Sequence, residues 1–298
     1  MTSSGSSIAA TDFVTIQDKA QSLLGTGTGS RGYGQTVLSA DVYSGNIITK
    51  AQWDALRYDI INVRFHQDGV LPSIATVNVG DPIQFGAGSP NSNFDTLLET
   101  AIANRFNVAS NQSTITAKGT ATTSSSFSTS ASFTVTATFA SANAARYFFN
   151  SGGKIRITPT FSGSISTAQV NAWTNFINSV GTRSFGANTD PYVNYYTLTN
   201  SYQIYYQGSL STPYSANNYR MEAKVDVANN SAGTASVLYL KVTLNDSYVD
   251  PGLPAPGDLV SGTLTFAVSE LKAAGVMQPS GTFAITSPTY SLSSISVS

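Results

Sequence analysis

The sequence predicts an α+β chain, with mixed N-terminal helices and an antiparallel sheet, followed by a β-sandwich-like C-terminal region. Three observations predict it. Apolar residues recur at helical spacing up to Phe106. From Asn107 onward the apolar period drops to that of a strand, with every second residue apolar. In the last third, alternating runs are separated by Gly, Asn and Pro turns at spacings of roughly ten residues, a sandwich pattern. Three consecutive segments are expected: a helical docking region at 1–70, an α+β domain at 71–182 and a β-rich sandwich-like domain at 183–298.

Residues 1–7 read as a flexible polar start. Thr11 opens a helix with Phe13, Ile16, Ala20, Leu23 and Leu24 on one stripe, and Gly25 stops it. Residues 25–34 form a glycine-rich loop. A second helix runs from Thr49, its cap, to Gln67, with Trp53, Leu56, Ile60 and Val63 inward. The two helices match at an offset of 40 residues: Ile8 with Ile48, Phe13 with Trp53, Ile16 with Leu56. Two readings fit. Any two amphipathic helices look alike, or a duplicated helix and loop unit docks on a neighbour through Phe13 and Trp53. Pro72–Pro90 reads as loop, with a short strand at Ile74–Val79. Asn93 caps a third helix, Phe94 to Phe106.

Phe133, Val135, Ala137 and Phe139 alternate with Thr134, Thr136 and Thr138, a half-buried antiparallel strand. Ala142–Asn150 is a short helix, ended by Ser151-Gly152-Gly153. A strand at Lys154–Phe161 follows, then a helix capped by Thr167 that ends at Gly181. Met221, Ala223, Val225 and Leu238, Leu240, Val242, Leu244 mark two strands joined by a hairpin loop at 228–234. Residues 250–257 form a stiff Pro-rich connection. Leu264, Phe266 and Val268 give a further strand, and 282–297 one or two more.

The chain carries 10% charged residues, against ~25% in ordinary proteins. It has no cysteine and one histidine, His66. Net charge is −1, so no basic stripe invites nucleic acid and no self-repulsion opposes association of identical copies. No disulfide or thiolate metal site is possible. Met1 to Ala10 carries neither a basic region nor an apolar run, so no secretory leader is expected, and no run is long enough for membrane insertion.

Catalytic patterns are sparse. Nucleophilic catalysis needs a base beside Ser or Thr, and only His66 could serve. Its place near a helix C-terminus favours a structural role against the dipole. Glycan hydrolysis needs two carboxylates; of sixteen acids, Glu99, Asp190 and Asp246 have the least evident structural role. Gly27-Thr28-Gly29-Ser30-Arg31-Gly32 satisfies a dinucleotide-binding spacing, but it follows a helix rather than a strand, so that reading fails. No metal and no cofactor is expected, and the chain is read as a non-enzyme.

Ala145-Arg146-Tyr147-Phe148-Phe149-Asn150-Ser151-Gly152-Gly153-Lys154-Ile155-Arg156-Ile157 resembles a recurrent segment of tailed-bacteriophage virion proteins, the structural and fibre-like proteins of cyanophages and other marine phages. The first helix, glycine loop, second helix and Phe65-His66-Gln67 are similar to the same group. The resemblance implies assembly rather than chemistry. On the residues alone, the segment is a helix-to-strand corner. Its aromatics plug a core and its glycines turn the chain.

Eight of fifteen tyrosines fall between Tyr192 and Tyr219, where Asp190 is the only charge between Arg183 and Arg220. Paired tyrosines in strands would place one ring on each face. Tyr192, Tyr195, Tyr196, Tyr202, Tyr205, Tyr206 and Tyr214 are therefore candidate contacts, with three readings open: core and edge packing, a subunit interface, or a carbohydrate platform. The expected function is a structural component of a tailed-phage virion in tail, neck, baseplate or fibre attachment, acting in multiple copies. Its partners are then other copies of itself and neighbouring virion proteins. A host-glycan-binding fibre or adhesin module and a capsid decoration protein are the alternatives.

Overall fold

The computed structural model describes residues 10–43, 46–74, 76–78, 94–249 and 259–298. The chain divides into two compact units, each assembled from three stretches. The first draws on 1–114, 146–153 and 272–286; the second on 115–145, 154–271 and 287–298. The expected boundaries at 70 and 182 do not coincide with this division. The reason is non-local pairing: strands before residue 183 join the same sandwich as those after it. The polar start, Ile8, the Asn93 cap and the 250–257 connection lie outside the described residues. So do Ala75 and Val79 of the expected short strand; Ile74 and residues 76–78 form none.

The first unit is built on three helices, α1 (Ala10–Leu24), α2 (Lys50–Asp68) and α3 (Phe94–Ala103). The third ends three residues before the expected Phe106. Phe13, Ala20, Trp53, Leu56, Ile60, Phe94 and Leu98 are wholly buried together. The Trp53 and Phe94 rings stack at 4.8 Å. Thr49 starts α2 with a reciprocal cap: its hydroxyl accepts the Gln52 N–H at 3.3 Å, and Gln52 Oε1 accepts the Thr49 N–H at 2.9 Å. Gly69 ends α2 at φ 72°, its N–H reaching the Phe65 carbonyl at 2.8 Å. Lys19 ties α1 to α3 through Asp95 at 2.6 Å and Glu99 at 2.5 Å, giving Glu99 a structural role.

The second unit holds two antiparallel sheets. One has four strands in the order β1 (Ser113–Thr123), β8 (Gly262–Ala273), β3 (Lys154–Gly163), β4 (Arg183–Gly186). The other has the order β10 (Ser296–Val297), β2 (Ser130–Thr138), β7 (Val237–Asn245), β6 (Asn218–Val225), β5 (Gln203–Ser209), with β9 (Thr289–Leu292) sharing the β2 edge with β10. Burial alternates residue by residue along β2, β6 and β7, as the sequence pattern requires. The inner faces meet where Phe133 stacks on Phe266 at 5.0 Å. Hydroxyl pairs join β1 and its continuation to β8: Thr122 to Thr265 at 3.1 Å, Ser124 to Thr263 at 3.2 Å and Ser126 to Ser261 at 2.8 Å.

Helix α5 (Ala168–Val180) starts at the Thr167 cap and buries Val170, Trp173 and Ile177. It also closes a sheet edge. β4 covers β3 only along Lys154–Ile157. Beyond that, Asn178 Oδ1 accepts the Phe161 N–H and its Nδ2 donates to the Phe161 carbonyl, both at 3.0 Å. A side-chain amide thus replaces a strand where the strand has run out.

Helix α4 (Ala142–Asn150) has its first turn in the second unit and Arg146 onward in the first. Its end is the expected corner: Gly152 has φ 83°, and a Cβ there would sit 2.7 Å from the Val108 side chain.

Candidate functional site

The tyrosine-rich stretch does not form one surface. Tyr192 is 83% exposed on a turn, where Asp190 Oδ1 accepts the N–H groups of Tyr192 at 2.7 Å and Val193 at 3.2 Å. That turn explains Asp190. Tyr195 and Tyr196 sit in a single 3-10 turn, not in a strand. Tyr195 is buried and its hydroxyl donates to the Ala235 carbonyl at 2.9 Å. Tyr214 packs edge-on to Tyr248 at 4.7 Å.

The arrangement of one ring per face also fails in β5. Ile204 stands opposite Glu222 and Tyr206 opposite Met221, so Tyr205 is the extra residue of a bulge. Tyr205 packs on Phe185 of β4 at 5.0 Å, and Tyr206 on buried Tyr219 at 6.1 Å. Burial pushes the Tyr205 and Tyr219 hydroxyls well above the usual tyrosine range. Arg183 lies 3.9 Å over the Tyr206 ring and donates to its hydroxyl at 3.1 Å. These four tyrosines, 195, 205, 206 and 219, are core or core-edge packing.

Tyr202 goes elsewhere, to the outer side of the six-stranded sheet. Lys224 Nζ lies 4.8 Å from its ring centroid and Lys241 Nζ 5.6 Å. Lys224 also lies 5.1 Å from the Tyr239 ring. In register, Lys224 faces Tyr239 and Lys241 faces Glu222. Burial, then the Glu222 charge, raises the Tyr202 hydroxyl from its ordinary value.

Phe13 and Trp53, expected as docking residues, are 0% exposed. Their rings fill the three-helix core, so they offer no docking surface. The amphipathic stripes that suggested docking are spent on each other.

The glycine loop at 25–34, the end of α2 and residues 146–153 converge within the first unit. Arg146 Nη2 donates to the Thr26 and Gly27 carbonyls at 2.8 and 3.1 Å. One turn later, Asn150 Nδ2 donates to the Arg31 and Gly32 carbonyls, both at 2.9 Å. Spacing of four residues puts both donors on one helix face, against the glycine loop. A Cβ at Gly34 would land 2.3 Å from the Tyr147 ring, so the loop lies directly on α4. His66 Nε2 donates to the Ser151 carbonyl at 3.1 Å. Tyr33, from the same loop, donates to the Arg105 carbonyl at 2.9 Å and accepts from Gln67 Nε2 at 2.7 Å.

His66 is 1% exposed, with its ring 4.2 Å from Phe283 and 5.1 Å from Tyr33. Burial lowers its pKa to about 3, so the ring is neutral. The expected favourable charge against the helix dipole is therefore absent; the ring acts as a flat, neutral donor between aromatics.

Two buried acids lie in the second unit. Asp246 accepts from Gln169 Nε2 at 2.7 Å. Glu270, 1% exposed, accepts from Ser287 Oγ at 2.7 Å and from the Tyr290 hydroxyl at 2.8 Å, with Lys118 Nζ at 3.4 Å. Sequence reasoning missed Glu270. The signal was present: it occupies the inward slot after Leu264, Phe266 and Val268. Among the described residues no group of three or more His, Cys, Asp or Glu is placed to hold a metal. No described helix is long and apolar enough to cross a membrane.

No family model, no curated protein and no solved structure matches this chain.

Proposed function

We propose that this chain is a structural component of a tailed-phage virion, in the tail, neck, baseplate or fibre attachment, and that it works by association with copies of itself and neighbouring particle proteins. The observation that carries the association is the edge of β1, which is unpaired among the described residues. An unpaired edge is a template for another strand, and folded proteins normally blunt it. Three of the four sheet edges here are blunted. β4 has four residues and is continued by the Asn178 amide. β9 and β10 have four and two. β5 is bulged at Tyr205. β1 runs for 11 residues, and Thr114 to Ala117, Gly119, Thr120 and Thr122 are exposed, with Ile115 at 59%.

An inward charge is one of the usual edge guards, and β1 has Lys118 turned inward. That guard works by making a new partner bury the charge. Lys118 already lies against Glu270 with its side chain 18% exposed, so pairing costs little more. The threonines of β1 suit an antiparallel copy, since Thr pairs across strands hydrogen-bond. The supporting argument for a virion role is the resemblance: its segments build a scaffold knot of carbonyls and donors.

Light scattering at tens of micromolar should give a mass of at least two chains. Thr116→Lys with Thr120→Lys, both exposed, should return it to one. A monomeric wild type, or an unchanged mass in the double variant, removes the β1 argument. Antibody labelling of phage particles then tests the virion placement separately.

A further inference from the structure

We infer that the outer face of the six-stranded sheet, around Tyr202, Lys224, Tyr239 and Lys241, binds an anionic saccharide, one bearing carboxylate or sulfate groups. This stands apart from the assembly reading, because it uses a sheet face and not an edge.

The charges carry it. Lys19, Lys50, Arg64 and Lys118 each take a carboxylate. Arg57, Arg105 and Arg146 take backbone carbonyls. Lys224 and Lys241 differ from these. Among the described residues neither reaches a carboxylate, and although Lys154 and Arg156 on β3 do not either, Lys224 and Lys241 share one tyrosine ring. They are diagonal neighbours on β6 and β7, with their ammonium groups 4.8 and 5.6 Å from one ring centroid. Two like charges on one diagonal repel, and a chain so poor in charge had neutral residues to use instead. Arg220, on the same outward row, adds a third cation, against Glu222 within β6 and Asp226 just past its end, whose carboxylate accepts from Ser236. An anion placed here relieves the repulsion.

The surroundings select a sugar. Thr134 stands opposite Lys241 and Thr136 opposite Tyr239, both half-exposed. Hydroxyls and half-exposed rings on a flat face suit sugar hydroxyls and the C–H faces of sugar rings. Nucleic acid needs a long basic track, which three cations and two acids do not make. A peptide strand needs a sheet edge and an amphipathic helix needs an apolar groove, and this face is neither.

The test uses the full chain and three labelled probes: a polyuronate oligosaccharide, dextran sulfate and neutral dextran. Fluorescence anisotropy should show binding of at least one anionic probe, weakening as salt rises, and none of neutral dextran. The polyuronate and dextran sulfate arms decide which anion is preferred. Lys224→Ala with Lys241→Ala should weaken binding at least tenfold with an unchanged thermal melt; Lys50→Ala, a cation of the other unit, should leave it unchanged. Failure of both anionic probes to bind, equal binding of neutral dextran, undiminished binding by the double variant, or equally tight binding of poly-glutamate overturns the inference.

Discussion

The two units are held by different means. In the second, alternation does the work: β2, β6 and β7 bury every other side chain, and the buried partners are neighbours in register. In the first, helices supply the core, but the irregular chain around them is pinned by buried polar side chains over long sequence separations. Asp59 accepts the Leu38 and Ser39 N–H groups at 2.8 and 2.9 Å. Gln35 exchanges two hydrogen bonds with Ala284, and Asn62 two with Gln278. A sheet satisfies its backbone by pairing; a loop-rich unit must recruit side chains for the same purpose. Side chains do this at the ends of strands in the second unit too, as Asn217 and Asn230 show, but within its strands Glu270 is an exception, a charge in a slot that alternation reserves for apolar residues.

That exception gives the largest expected effect. Glu270→Ala leaves Lys118, Ser287 and Tyr290 without their acceptor. Losing one partner of a buried pair costs about 3–5 kcal/mol; the partial exposure of Lys118 places this case near the lower figure. The urea midpoint should fall accordingly. Replacing both charges, Lys118→Met with Glu270→Leu, should recover most of the loss. If the double replacement is as unstable as the single one, the cluster does more than satisfy itself.

An intermediate effect belongs to the first unit. His66 titrates at about 3 in the fold against about 6.5 unfolded. Between those values the unfolded chain binds the proton and the folded one does not, so stability falls as pH drops. The slope is about 1.4 kcal/mol for each pH unit once below 6.5. Asp59 opposes it: burial raises its pKa, so acidification relieves a cost in the fold. Comparing wild type with His66→Gln, which keeps a donor for Ser151, isolates the histidine. Identical pH dependence in the two proteins would refute the neutral buried assignment.

The smallest effect is capping. Thr49→Ala should cost about 1 kcal/mol, read as a lower thermal midpoint and faster amide exchange in the first turn of α2. No change there would mean that packing alone positions the helix.

Helix stripes, the Thr49 and Thr167 caps, the Gly152 corner and the hairpin between β6 and β7 were all legible, because each is local and periodic. The division into units was not. Sandwich pairing joins β2 to β9 and β10 over more than half the chain, and no window of sequence carries that information. The expectation of one tyrosine ring on each face failed for a different reason. A bulge at Tyr205 and a 3-10 turn at Tyr195 each shift the face on which a ring emerges, and neither has a strong residue signature. The outward row of Glu222 and Lys224 was legible as a row. Its meeting with Tyr202 was not, since that depends on where the chain before β5 lies.

The Asn178 amide has one more consequence. Plugging the end of β3 while β1 stays open makes the four-stranded sheet one-sided. Two copies meeting β1 to β1 would consume the one long open edge that the described residues of each sheet present, and the union would be symmetric and closed. Growth of this kind halts at a pair and cannot run on into a fibril; any larger ring or trunk must be knitted from other faces.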